Sequence, residues 1–176
     1  GLRYFGDGFQ ASKLLDGRRL WRIPVMEGEF VIDESFGMAK GVGGGNFLVL
    51  GDSVEATLAA TEAAVAAMRQ VPAVILPFPG GIVRSGSKVG SRYKFLSAST
   101  NTAYCPTLRA QGDSDLPEGV NSVLEVVIDG LSEEAVRQAM RVGIEAACRP
   151  GIVRITAGNY GGKLGQFQIH LRELCS

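Results

Sequence analysis

The sequence predicts an α+β fold, a ferredoxin-like split βαβ α/β sandwich with a mainly antiparallel sheet, plus strands of an adjoining lobe. Three observations lead there. A strand–helix–strand pattern spans residues 46–76 and returns over 122–156. Each helix opens on a capping residue and ends at a proline, Pro72 or Pro150. The remaining strand-like runs are short and bounded by glycine or proline. Two such units in one sheet place both helices on the same face.

The elements follow in order. Residues 19–25 and 29–32 read as strands, with Glu27-Gly28 as the turn between them. Residues 46–50 form the next strand, ending at Gly51. Asp52 with Glu55 gives a helix start of the capping-box kind. Val54, Leu58, Thr61, Val65 and Met68 recur at helical spacing and mark its buried face. Residues 74–76 and 93–98 are short strands on either side of a first glycine loop, residues 77–90. Residues 122–128 are the strongest strand, turned by Asp129-Gly130. Ser132 caps the second helix, with Glu133 and Glu134 set against its dipole. Val136, Ala139, Met140, Gly143, Ile144 and Ala147 form its inner stripe. Residues 152–156 return as a strand, a second glycine loop covers 156–165, and residues 166–171 are expected to close the chain as a strand. Residues 1–40 are thus expected to be part of an adjoining lobe or a connection, and 41–176 the ferredoxin-like lobe with its C-terminal strand.

A parallel nucleotide-binding sheet is the competing architecture. Its glycines belong between strand and helix. Here residues 41–45 are glycine-rich but precede their strand, and the strand–helix turn is Gly51-Asp52-Ser53, with an acid where phosphate would sit. That counts against a nucleotide ligand.

Composition narrows the function further. The chain has 176 residues, 45% of them hydrophobic, and equal numbers of acidic and basic residues, 18 each. It shows no basic stripe, so nucleic acid is not an expected partner. No apolar run reaches the ~20 residues of a membrane span, and no leader opens the sequence. Cys105, Cys148 and Cys175 are scattered, odd in number and suited to a reducing cytoplasm. With His170 the single histidine and no CxxC or CxxH spacing, neither a metal site nor a histidine triad is expected.

Candidate chemistry gathers in the two glycine loops and in one strand. Ser85, Ser87 and Lys88 could hold an anion, or Lys88 could simply be a solvated lysine on a turn. Asn159, Tyr160 and Lys163 combine an amide, a flat ring and a cation, which suits a heteroaromatic ligand; a tight turn with a packing tyrosine has the same composition. Glu125 interrupts a run of Val, Leu and Ile. In a central strand such a carboxylate is costly and its proton is held more tightly, as in an acid–base catalyst. Alternation would instead set it on an exposed sheet face opposite Arg154. Cys105 reads as a structural thiol, since nothing nearby in sequence activates it.

Several segments together resemble one family. They are residues 5–8 (FGDG), 23–30 (IPVMEGEF), 43–47 (GGGNF), 77–83 (PFPGGIV), 85–90 (SGSKVG), 105–108 (CPTL), 126–130 (VVIDG) and 155–165 (ITAGNYGGKLG). In this order they resemble formylmethanofuran:tetrahydromethanopterin formyltransferases. The resemblance runs through essentially the whole chain. It implies a C-terminal fragment, similar to roughly the last three-fifths of a longer protein. It implies a two-lobed cytoplasmic enzyme, a homotetramer with no prosthetic group, that moves a formyl group between methanofuran and tetrahydromethanopterin. It implies service in methanogenesis or, within a formyltransferase/hydrolase complex with other subunits, in methylotrophy. By the resemblance, Glu125 falls in the active-site region, where the family also has a glutamate, and Ser85, Ser87, Lys88, Asn159, Tyr160 and Lys163 line the cleft. A non-catalytic subunit or assembly module of the same fold would share these features.

Overall fold

A computed structural model describes residues 1–158 and 165–174. The backbone divides into two units, Gly1–Ala39 and Lys40–Ser176.

The first unit is an antiparallel meander of β1 (Ala11–Leu15), β2 (Arg18–Val25) and β3 (Gly28–Asp33), in the order β1-β2-β3. Strand β1 was not expected from the sequence. Its turn is Asp16-Gly17, both at positive φ (48° and 78°), the backbone that a two-residue hairpin with right-handed twist requires. Arg18 grips Asp33 and Arg22 grips Glu29, each through two N–H groups, diagonally across β2 and β3.

The second unit holds the sandwich. Its sheet runs β5-β8-β4-β9, every neighbour antiparallel, from β4 (Val42–Gly51), β5 (Val74–Ile75), β8 (Ser122–Gly130) and β9 (Ile152–Thr156). Helix α1 (Val54–Met68) links β4 to β5, and α2 (Glu133–Ala147) links β8 to β9. This is the strand order of the split βαβ sandwich that the sequence predicts. Both helices lie on one face. Phe47 and Val49 of β4 and Val126 and Ile128 of β8 share a buried cluster with Ala60, Ala64, Val65 and Met68 of α1 and Val136, Met140 and Ile144 of α2. On the other face Leu48 and Leu50 pack with Val120, Tyr104, Leu116 and Val123. A separate ribbon pairs β6 (Ser87–Val89) with β7 (Ala98–Thr100).

Four expectations need correction. The cap of α1 is Ser53, whose Oγ accepts from the Ala56 amide at 3.3 Å; Asp52 instead accepts from the Ser53 hydroxyl. The buried face of α1 is Thr57, Ala60, Thr61, Ala64, Val65 and Met68, while Val54 and Leu58 are exposed. Small residues face inward because α1 lies close against α2 and the sheet. The Thr57 and Thr61 hydroxyls are satisfied by donating to the carbonyls of Ser53 and Thr57. Residues 93–97 are the tip of a hairpin, not a strand, since the Gly90 amide donates to the Ser97 carbonyl and closes it there. The C-terminal strand over residues 166–171 does not form. The segment crosses onto α2, where Arg137 donates to the Gln168 carbonyl and Ile169 and Leu171 meet the core; it then ends as the short helix α3 (Leu171–Leu174).

The α1–α2 crossing depends on Gly143. A Cβ there would stand 2.5 Å from the Met68 sulfur and 3.2 Å from the Phe47 ring. Gly143→Val is expected to destabilise the chain by about 1–3 kcal/mol, the usual range for overpacking. Urea unfolding measures it, and an unchanged midpoint would mean that Met68 moves aside freely.

Candidate active site

Strand β8 is the middle of the site, and Glu125 is its buried polar residue. Glu125 pairs across the sheet with Leu48 of β4. On its other edge it exchanges two backbone hydrogen bonds with Val83, at 2.7 and 2.9 Å. The first glycine loop makes that bridge possible. After β5 the chain turns back at Gly80 and Gly81, with φ of 70° and 82°, a backbone that a side chain would strain. A Cβ on Gly81 would also press on Leu76 and Val65 at 3.0 Å.

Glu125 is 5% exposed. Its carboxyl Oε1 accepts from Asn46 Nδ2 at 3.2 Å. Asn46, half-buried on β4, in turn accepts through Oδ1 from the Gly158 amide at 3.1 Å. Gly158 follows β9 and leads into the second glycine loop. Burial holds the Glu125 proton more tightly than in a free glutamate, and the Asn46 hydrogen bond pulls partly the other way. The reading with Glu125 on an open face opposite Arg154 does not hold. Arg154 belongs to β9 and faces Leu50, and β4 lies between it and β8.

The structure therefore brings Glu125 together with a residue of each glycine loop, Val83 directly and Gly158 through Asn46. Ser85, Ser87 and Lys88 lie beyond Val83, at the start of the β6–β7 ribbon. Ser85 and Ser87 are exposed. Lys88 is half-buried and donates to Thr102 Oγ1 at 2.9 Å, a neutral partner, and no ion pair to it is formed among the described residues. Asn159, Tyr160 and Lys163 lie outside the described residues, as does Cys175. The Cys105 thiol donates to the Asn101 carbonyl at 3.3 Å and has no base beside it among the described residues. His170 is exposed in the C-terminal segment. Among the described residues no group of three His, Cys, Asp or Glu side chains is arranged to hold a metal ion, and no helix is long and apolar enough to cross a membrane. Asn46 is the residue bonded to Glu125 that the sequence reading missed. Its signal is an amide on the same strand face as Leu48, two residues away.

A family model described as FTR, proximal lobe, matches residues 28–174. The formylmethanofuran–tetrahydromethanopterin formyltransferase of Methylococcus capsulatus is 63% identical over 98% of this chain and 59% of its own length. That of Methanopyrus kandleri is 60% identical, over 98% and 58%. Among solved structures, the formylmethanofuran:tetrahydromethanopterin formyltransferase of Methanosarcina barkeri superimposes with a TM-score of 0.80 at 46% identity, over 98% of this chain and 59% of that one. A chain of the formyltransferase/hydrolase complex of Methylorubrum extorquens, solved with methylofuran, gives 0.82 at 52% identity, over 99% and 60%. This chain thus spans 59% of the length of the Methylococcus capsulatus relative.

A carboxyl whose proton is held more tightly in the fold stabilises the fold when protonated. That contribution is complete below the free-glutamate range and is lost as pH rises through the raised value of Glu125. Gln at this position stays neutral and loses nothing. Glu125→Gln is therefore expected to gain stability relative to the wild-type chain as pH rises from about 4 towards neutrality. Urea unfolding across that range measures the difference; a difference independent of pH would contradict the raised value.

Proposed function

We infer that this chain, which belongs to the FTR proximal-lobe family, carries the acid–base lobe of a formyltransferase acting between methanofuran and tetrahydromethanopterin. The observation that supports this best is the buried Glu125 carboxyl, where the first glycine loop pairs with β8 and the second is joined to it through Asn46 of β4. Formyl transfer between two nitrogens goes through a tetrahedral intermediate. The attacking nitrogen loses a proton and the departing nitrogen gains one. A carboxyl whose proton is held more tightly than in a free glutamate serves both steps: as carboxylate it takes the proton from the attacking pterin nitrogen, and as acid it returns one to the methanofuran nitrogen. No proton is gained or lost over the cycle.

The loops supply binding. Ser85, Ser87 and Lys88 in the first, and Asn159, Tyr160 and Lys163 in the second, suit carriers with a flat ring and several anionic groups. No prosthetic group is needed for this chemistry. We place the protein in the cytoplasm as a homotetramer, in methanogenic or methylotrophic one-carbon metabolism, with hydrolase subunits as further partners in the second case. Residues 1–40 belong, on this reading, to an adjoining lobe or its connection.

The test uses a protein of the relatives' full length. This chain replaces the matching 59% of the Methylococcus capsulatus enzyme, and formyl transfer between the two carriers is measured. Turnover is expected. A folded chimera that binds its other subunits but transfers nothing would favour a non-catalytic assembly module. In the active chimera Glu125→Gln should lower kcat by roughly 10²–10⁴, the scale of general acid–base catalysis. Lys88→Ala should raise KM for a carrier more than it lowers kcat; unchanged KM for both carriers would remove Lys88 from the binding set.

A further inference from the structure

The bond between Asn46 and Glu125 has a direction that geometry fixes. A side-chain amide has one accepting and one donating end, usually interchangeable at a glance. Here the Gly158 N–H, which can only donate, faces one end at 3.1 Å, so that end is Oδ1. The other end, 3.2 Å from Glu125 Oε1, is then the NH₂ group. An NH₂ group has no lone pair to offer a proton. Oε1 facing it cannot carry one between them, whatever the state of the carboxyl.

We propose that Asn46 is the positioning residue for Glu125: pinned by Gly158, it engages Oε1 and leaves Oε2 to carry the proton that is transferred. The proposal rests on the formyl-transfer reading for its use, though not for its chemistry. In the acid form the hydrogen sits on Oε2. When Oε2 gives it up to the departing nitrogen, the charge spreads over both oxygens and the Asn46 hydrogen bond becomes charge-assisted. When Oε2 takes a proton from the attacking nitrogen, the reverse occurs. Asn46 also joins this cycle to the second glycine loop, because the group that orients it is the backbone of Gly158.

The test compares Asn46→Ala, which removes both hydrogen bonds, with Asn46→Asp, which keeps an acceptor for Gly158 and turns the donor facing Glu125 into a second carboxylate. The Glu125 carboxyl is followed by ¹³C NMR titration in this chain. Its midpoint should rise in Asn46→Ala and rise further in Asn46→Asp. In the chimera the limb of the kcat–pH profile that Glu125 governs should move the same way, with kcat at neutral pH down about tenfold, the worth of one hydrogen bond to a charged group. An unmoved midpoint in both variants overturns the proposal. So does a fall in kcat that is equal at every pH, which would mark a purely structural residue. If the wild-type chimera transfers no formyl group, the function reading fails, and the NMR titration still decides the role of Asn46.

Discussion

The antiparallel pairing of β4 with β8 is the constraint on which the rest of the second unit depends. Both strands are buried on both faces, so their register decides what each face receives. Phe47 opposite Val126 delivers two apolar side chains to the helices. Leu48 opposite Glu125 delivers the carboxyl to the other face. Side chains alternate with a period of two, so a slip of β8 by one residue would send Glu125 among Met140, Val65 and Met68 and expel Val126. The bulge between Val42 and Gly45 absorbs the irregular start of β4, and Gly44 donates to Asp129 there at 2.8 Å. The regular part of the ladder begins at Gly45, one residue before Asn46.

How much of this could be read from the sequence depended on which residues did the packing. The inner stripe of α2 was legible in full, because Val136, Met140 and Ile144 contrast with the charged residues around them. In α1 the contrast runs the wrong way: alanine and threonine pack inside while Val54 and Leu58 face out. A hydrophobicity pattern cannot find a face chosen for small size. The C-terminal segment failed for a different reason. Phe167, Ile169 and Leu171 alternate as in a strand, but Arg137 and the core beside α2 offered a better docking place than the edge of β9. The burial of Glu125 was undecidable locally. Its strand neighbours are Val83 and Leu48, and an irregular stretch around Tyr104 and Val120 packs on Leu48 on the same face, none of which alternation within β8 can reveal. The resemblance pointed to Glu125; the geometry explains why a carboxyl there would be suited to proton transfer.

Charge is handled in opposite ways in the two units. In the meander, Arg18–Asp33 and Arg22–Glu29 meet in solvent, where such pairs contribute little beyond orienting strands. In the sandwich the buried acid meets a neutral amide. A cation in place of Asn46 would make a tighter pair and would hold Glu125 permanently ionised. The amide orients the group while leaving its proton exchangeable. The cost is a carboxyl less stable in its ionised form than in water, offset by the close-packed helix face of the same strands.

The two halves of the sandwich are built on one plan, and this sets the site in another light. Ser53 and Ser132 cap helices of equal length, each 15 residues. Phe47 and Val126 stand at the same distance before those caps, and they face each other across the sheet. Asn46 and Glu125, 79 residues apart, are matched in the same way. They are one position seen twice, on either side of an internal two-fold axis between β4 and β8. Two carboxylates in these seats would repel, and two amides would hold no exchangeable proton. The unlike pair is the place where a nearly symmetric sheet has to be asymmetric to work.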